Sequence, residues 1–254
     1  MAGLRGLKGS TIIVTGAASG IGLATATRLA EEGATVAIFD LDSDGADQAV
    51  QKIEKQAGQA RAFAVDITQQ SSVEAAVDTV EREIGAIDGL VNNAGWDVAR
   101  NFLETDLALW RKVIEINLVG PLIVSKAVLS RMQERGRGRV VSIASDAGRV
   151  GSSGEAVYAA CKGGIIAFSK SVARELARTG ITLNIVAPGP TDTPLFANFD
   201  ETGKLAKALE RAIPMGRLGQ PGDFPGIIAF LLSDDAAFIT GQTISISGGL
   251  TMHG

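Results

Sequence analysis

Short apolar, β-branched runs alternate with amphipathic stretches along almost the whole chain. TIIVT (11–15), TVAIFD (35–40), RAFAVD (61–66), IDGLVNN (87–93), RVVSIAS (139–145), ITLNIVA (181–187) and TISIS (243–247) read as strands. They are nearly continuous in apolar residues, as strands covered on both faces of a parallel sheet should be. Between them the period lengthens. Val73, Val77, Val80 and Ile84 fall 4, 3 and 4 apart and make one helix face. The stretch from about 106 to 134 predicts a long helix that Pro121 should perturb. This βαβα alternation predicts an α/β fold: a Rossmann-type, doubly wound parallel sheet of about seven strands with helices on both faces. No linker, repeat or low-complexity tract interrupts residues 1–254, so one domain is expected.

Residues 188–223 break the rhythm. They hold five of the seven prolines and are too long for an ordinary turn, which predicts a substrate lid. Thr193 before Pro194 reads as an N-cap followed by a proline at the first position of a short helix.

Composition then removes whole classes of chemistry. With 46% hydrophobic and 20% charged residues the chain can build a large core, and disorder is not expected. A net charge of −4 argues against nucleic-acid binding. The basic run RMQERGRGR (131–139) alternates with Glu and Gly, and reads as a solvated helix end and turn. No apolar run approaches the roughly 20 residues of a membrane span, and the N-terminus lacks the apolar segment of a signal peptide, so a cytoplasmic protein is expected. One cysteine, Cys161, and one histidine, His253, allow no internal disulfide and no metal site of the common kinds. Acid and base work falls to Tyr, Lys, Asp or Glu.

Two constellations carry candidate chemistry. Gly16, Gly20 and Gly22 follow the first strand in a Gly-x-x-x-Gly-x-Gly spacing and open the first helix. Such a turn lets pyrophosphate approach the helix N-terminus; the plain alternative is a tight βα turn. Asp40 ends the second strand, 24 residues after Gly16, where a carboxylate can accept from both ribose hydroxyls and repel a 2′-phosphate. That selects NAD over NADP. Asp42 and Asp44 read as solvated turn acids, and Asp66 ends the third strand where it could meet an adenine amino group. The second constellation is Tyr158, the only tyrosine, with Lys162 one turn later on the same helix face. The ammonium favours the phenolate, so Tyr158 can act as general base on a secondary alcohol.

With TGAASGIG (15–22), NNAG (92–95), Asn117 in INLVG, Ser145 in IAS, Tyr158 and Lys162 as YxxxK, and PGPTDT (188–193) in this order, the chain resembles the short-chain dehydrogenase/reductase family over its whole length. The resemblance implies a catalytic set of Asn117, Ser145, Tyr158 and Lys162. It implies that Lys162 holds the nicotinamide ribose, Ser145 fixes the substrate oxygen, Asn117 holds a water, and Thr193 binds the carboxamide. The dinucleotide would lie along Gly16, Ser19, Gly20, Ile21 and Gly22, then Asp40, Asp66 and Ile67. Asn93, Ala94, Gly95, Tyr158, Lys162, Pro188, Gly189, Thr191 and Thr193 would complete its cleft. Ser19 stands where NADP-using members often carry a basic residue, in keeping with NAD as cofactor. NNAGWD, ASDAGRVGSSGEAVYAACKGG and SGGLTMHG resemble the members that oxidise cyclic hydroxyacyl-CoA thioesters such as 2-hydroxycyclohexane-1-carboxyl-CoA. The implied partner is a secondary alcohol or its ketone, as a cyclic or β-hydroxyacyl-CoA, and the implied assembly is a homotetramer.

Several residues stay open. Cys161 reads as a buried structural thiol, and Gly163 and Gly164 as subunit packing. Trp96 and Asp97 either border the substrate pocket or pack in the core. Arg149 is a salt-bridge partner or meets a CoA phosphate; His253 is a tail residue or reaches a neighbour's site. The rival activities are a 3-oxoacyl-thioester reductase, a dehydrogenase of a free alcohol or sugar, a catalytically silent NAD-binding regulator, and an epimerase or dehydratase that recycles bound NAD.

Overall fold

The computed structural model describes residues 3–197 and 203–252. Seven strands, β1 (Thr11–Thr15), β2 (Thr35–Asp40), β3 (Gln59–Ala64), β4 (Ile87–Asn92), β5 (Gly138–Ile143), β6 (Ile181–Pro188) and β7 (Thr243–Ile246), form one sheet. Their order is β3-β2-β1-β4-β5-β6-β7 and every pairing is parallel. Strand order reverses between β1 and β4, so a crevice opens beyond the C-terminal ends of those two strands.

Alternation along β1 sorts residues to two cores. Ile12 and Val14 join Leu29, Ile228 and Leu231 on one face, and Ile13 joins Val73, Val77 and Val80 on the other. Helices α1 (Gly20–Glu31) and α10 (Pro225–Leu232) serve the first core. Helices α3 (Gln70–Glu83) and α5 (Gly120–Arg135) serve the second. The predicted stripe on α3 is the buried one, with Ile84 at the helix C-cap beside it.

Three sequence expectations change. The third strand runs two residues earlier than 61–66, so Asp66 lies in the loop beyond β3 rather than at its end. Only the inner strands are covered on both faces; β3 and β7 are sheet edges and are half open. The long helix spans Leu107–Arg135 and is apolar and long enough to cross a membrane, contrary to the reading from contiguous runs. Its apolar residues are spaced at the helical period, so no single run shows them. Here Val124, Val128 and Met132 pack against Ile87 and Leu90 of the second core. Pro121 does not break this helix. A π turn, Glu115–Val119, separates α4 (Leu107–Ile114) from α5 and places the proline in the first turn of α5, where an N–H is dispensable.

The basic run is ion-paired rather than merely solvated. Arg131 pairs with Asp78 and Glu81, Arg135 with Glu81 at 2.8 Å, and Arg139 with Asp234 at 3.2 Å. Gly163 and Gly164, on α7 (Ala156–Leu176), pack within the chain. A Cβ on Gly148 of α6 (Ala147–Val150) would lie 2.6 Å from the Gly163 amide nitrogen, and one on Gly164 would meet Leu118 at 3.2 Å. A Cβ on Gly163 itself would lie 3.2 Å from the Gly148 carbonyl oxygen, so both glycines stand in close approach within the chain. Asp42 is exposed, as expected of a solvated turn acid, and it also caps α2 (Ser43–Glu54), its Oδ1 accepting from the Gly45 amide at 3.0 Å.

Candidate active site

A cleft of about 1060 Å³ runs along the C-terminal ends of the strands. Its floor is the glycine turn. Gly16 has φ +64°, and a Cβ there would lie 2.7 Å from Ala94 Cα. Asn93 braces the same turn, its Nδ2 donating to the carbonyls of Thr15 and Gly16 at 2.9 Å. Ser19 is the N-cap of α1 but makes no side-chain cap bond, so the first-turn amides remain open to a phosphate. Asp40 stands at the outer end of the cleft. Its Oδ2 accepts from the Ala18 amide at 2.9 Å and its Oδ1 from the Asp42 amide at 3.0 Å. Asp66 Oδ1 is taken by Thr68, through N–H at 2.9 Å and hydroxyl at 2.7 Å. The close-approach glycine, the open amides and the fixed carboxylate fit a nicotinamide dinucleotide. Gly16→Ala should cost at least about 2 kcal/mol of stability, because both the backbone angle and the contact with Ala94 are violated. It should also abolish dinucleotide binding, as read by chemical denaturation and NADH fluorescence titration.

The candidate acid–base residues lie deeper. Helix α7 carries Tyr158 and Lys162, and the segment after β5 carries Ser145. Ser145 hydrogen-bonds the Tyr158 phenol and its Oγ also accepts from the Ala147 amide at 3.1 Å. Lys162 is buried; its Nζ donates to the Ile143 carbonyl at 3.0 Å and lies 5.4 Å from the Tyr158 ring centre. Burial lowers its pKa to about 8. Tyr158 is held well above the ordinary phenol range by burial first, then by the charges of Glu155 and Asp97, with Ser145 opposing. The expectation that Lys162 draws the phenol downward is thus not met by the chain alone. Desolvation and two nearby carboxylates outweigh an ammonium whose own charge burial disfavours.

These shifts have opposite effects on stability. Between pH 8 and about 10 the unfolded chain keeps a lysine proton that folded Lys162 has lost, so stability should rise with pH. Above about 10 the unfolded phenol ionises while folded Tyr158 does not, so stability should fall. Thermal melts of the dinucleotide-free protein should show this maximum, and Lys162→Met should remove the rise.

Asn117, fully buried in the π turn, is spent on main chain. Its Nδ2 donates to the carbonyls of Trp96 at 2.6 Å and Val113 at 2.9 Å, and its Oδ1 accepts from the Trp96 amide at 3.2 Å. Both amide hydrogens are used, which leaves only an Oδ1 lone pair for a water. Gly95 separates that oxygen from Lys162 Nζ; a Cβ there would be 3.0 Å from one and 3.5 Å from the other. The Cys161 thiol is buried and turned toward the Val113 carbonyl, as expected of a structural thiol.

The proline-rich segment forms one wall. Pro188 ends β6, Gly189 donates to the Ile246 carbonyl, and Thr191 bridges to Gly219. Thr193 Oγ1 accepts from the Phe196 amide at 3.2 Å and caps α8 (Pro194–Ala197), as the Thr-Pro pair predicted. Thr193, Leu195 and Phe196, with Leu205 and Leu209 of α9 (Lys204–Ala212), line the cleft. Residues 198–202 of this segment, and His253, lie outside the described residues.

Ser19, Gly20, Ile21, Ile67, Ala94 and Gly95 all line the same cleft; Gly22 sits behind it against Asn93. Trp96 and Asp97 border it too, with Lys112 Nζ 3.8 Å over the Trp96 ring. Arg149 is engaged at home, its Nη1 donating to Ser245 at 2.7 Å. Sequence reasoning missed Glu155, Leu205, Leu209, Leu250 and Thr251. Leu205 and Leu209 had an i, i+4 signal. The last two place the C-terminal segment in the chain's own cleft, where a neighbour's had been considered.

The family model described as enoyl-(acyl carrier protein) reductase matches residues 16–251. The chain is 39% identical over 246 residues to the 3-oxoacyl-(acyl-carrier-protein) reductase FabG of Vibrio harveyi, covering 97% of this chain and 99% of that protein. It is 40% identical over 240 residues to the cis-4-hydroxycyclohexanecarboxylate dehydrogenase of Sinomonas cyclohexanicum, covering 94% and 95%. Among solved structures it superposes on a single-residue variant of actinorhodin polyketide ketoreductase with NADPH, with TM-score 0.93, 36% identity and coverage of 97% and 99%. Levodione reductase gives TM-score 0.92 at 33% identity, with coverage of 95% and 97%.

Proposed function

The chain belongs to the short-chain dehydrogenase/reductase family, oxidoreductases of hydroxyl and keto groups that bind a nicotinamide cofactor, and on that premise we propose an NAD-dependent dehydrogenase of secondary alcohols. The substrate in this reading is a cyclic or β-hydroxyacyl-CoA thioester such as 2-hydroxycyclohexane-1-carboxyl-CoA. The observation that carries the dehydrogenase reading is the convergence of Tyr158, Ser145 and Lys162 in a cleft whose far end holds the Asp40 carboxylate.

Each residue then has a task. Asp40 accepts from the adenosine ribose hydroxyls and opposes a 2′-phosphate. The open amides after Ser19 take the pyrophosphate, and Gly16, Asn93, Ala94 and Gly95 shape the floor. Ile21, Asp66 and Ile67 border the adenosine side, while Pro188, Gly189, Thr191 and Thr193 border the nicotinamide side. A bound oxidised nicotinamide supplies the hydride acceptor and a positive charge beside the phenol. Ser145 Oγ holds the substrate oxygen, Tyr158 Oη removes its proton, and Lys162 Nζ supports the phenolate. Asn117 fixes the wall that carries Trp96. The segment 188–223 is the lid: Leu195, Phe196, Leu205 and Leu209 offer an apolar surface suited to a hydrocarbon ring and exclude water.

A second reading is favoured by the likeness to 3-oxoacyl-(acyl-carrier-protein) reductase: reduction of a 3-oxoacyl thioester by the same residues run in reverse. We place the protein in the cytoplasm as a homotetramer. The test is the initial rate of NADH formation from 2-hydroxycyclohexane-1-carboxyl-CoA beside the free hydroxy acid and cyclohexanol. A rate that depends on the thioester supports the narrow substrate. Equal turnover of the free alcohols removes it and leaves a general alcohol dehydrogenase.

A further inference from the structure

Asp97 is a buried carboxylate with an idle oxygen. It is 5% exposed, lines the cleft, and its Oδ2 has no hydrogen-bond partner. An orphaned buried carboxylate oxygen is destabilising, so its retention calls for a use. Its position is not accidental either. Asn117 grips both the amide and the carbonyl of Trp96, the residue immediately before it, so the main chain that presents Asp97 is clamped. Such a clamp suits a group that must keep its place while one oxygen stays uncommitted.

The surroundings define what it can meet. Its charge is felt at Tyr158, where the substrate oxygen is bound, and so is that of Glu155 at the N-cap of α7. The lysines that line the cleft are committed: Lys162 to the Ile143 carbonyl, and Lys112 to the face of Trp96. A substituent on the carbon next to the carbinol would therefore face two carboxylates with no free counter-charge from these lysines.

We propose that Asp97 is a specificity residue that rejects a free carboxylate beside the carbinol and admits an uncharged acyl group such as a thioester or ester. This deepens the dehydrogenase reading above and rests on it. Asp97 also makes the selection depend on pH. Burial and the Glu155 charge raise its pKa to about 6, against the Val98 amide and Lys162. Glu155, Tyr158, Lys162 and Cys161 are the other titratable groups around it; loss of the Lys162 charge near pH 8 would also disfavour an ionised substrate, so the Asp97 effect is read between pH 5.5 and 7.

The test compares kcat/KM for methyl 2-hydroxycyclohexanecarboxylate and for 2-hydroxycyclohexanecarboxylate, which share a ring and lack CoA, between pH 5.5 and 7. The wild-type protein should prefer the ester by at least about tenfold at pH 7, the effect of like charges a few ångströms apart at a screened site. That ratio should shrink as pH falls through about 6 and Asp97 takes up a proton. In Asp97→Asn it should be several-fold lower and flat with pH. A wild-type ratio near one, or an Asp97→Asn ratio with the wild-type size and pH dependence, overturns the proposal. Should the variant not fold, the wild-type ratio between pH 5.5 and 7 decides, below the range in which Lys162 loses its proton. No NADH from ester, acid or CoA thioester overturns the dehydrogenase reading, and this inference with it.

Discussion

Tyr158→Phe is expected to lower kcat for alcohol oxidation by about 10²–10⁴, the range over which a positioned acid–base group contributes. The substitution removes one oxygen and keeps the ring, so Lys162 should retain its bond to Ile143 and its seat near the ring. Dinucleotide affinity should change by less than about threefold, since the glycine turn and Asp40 are remote from Oη. A large loss in kcat with an unchanged NADH titration separates proton transfer from binding. The phenol's raised pKa sharpens the point. In the chain alone Tyr158 is a poor base at neutral pH, because burial and the charges of Asp97 and Glu155 favour its protonated form. The base must therefore be made by what binds beside it. Residual activity above about a tenth of wild type would assign the proton to another group, contrary to the acid–base role.

What the sequence could show follows from how local each feature is. The inner strands were legible because each is buried on both faces and so is nearly all apolar. The edge strand β3 slipped, because Val65 and Ile67 are buried beyond its end and drew the reading toward them, while polar Gln59 pairs with Thr35 in the sheet. The glycine turn and the Tyr158–Lys162 pair were legible because one turn of backbone or helix brings their members together. Glu155, Leu250 and Thr251 reach the cleft only through tertiary packing, and no spacing announces it. The π turn at Asn117 is a backbone event without a side-chain pattern. Its outcome could not be read: the Asn117 amide group is committed to the Trp96 and Val113 carbonyls, which leaves only its oxygen for a water. The same limit applies to the phenol. A lysine at i+4 is visible in sequence, but the depth of burial that lowers its pKa is not.

Cofactor choice should change most at Asp40. A 2′-phosphate there would bring up to two negative charges within a few ångströms of the carboxylate, and each such pair costs up to about 4 kcal/mol at a surface-like dielectric, less with salt. Even a net cost of about 3 kcal/mol is a preference of more than about 100-fold, so the wild-type protein should use NAD over NADP by at least that ratio in kcat/KM. The carboxylate is held in place by the Ala18 and Asp42 amides, one on each oxygen, and retains lone pairs for the ribose hydroxyls. Asp40→Asn should collapse the ratio to about tenfold or less, because the charge disappears while the shape remains. It should also destabilise the protein by about 1–3 kcal/mol, because the new amide hydrogens face one of the two backbone donors. Kinetics with both cofactors and a thermal melt read the two effects separately. A wild-type protein that uses NADP as well as NAD would undo the assignment of Asp40, and would shift the balance toward a 3-oxoacyl-thioester reductase. The Tyr158 prediction would survive that result, since the proton passes through the same phenol in either direction.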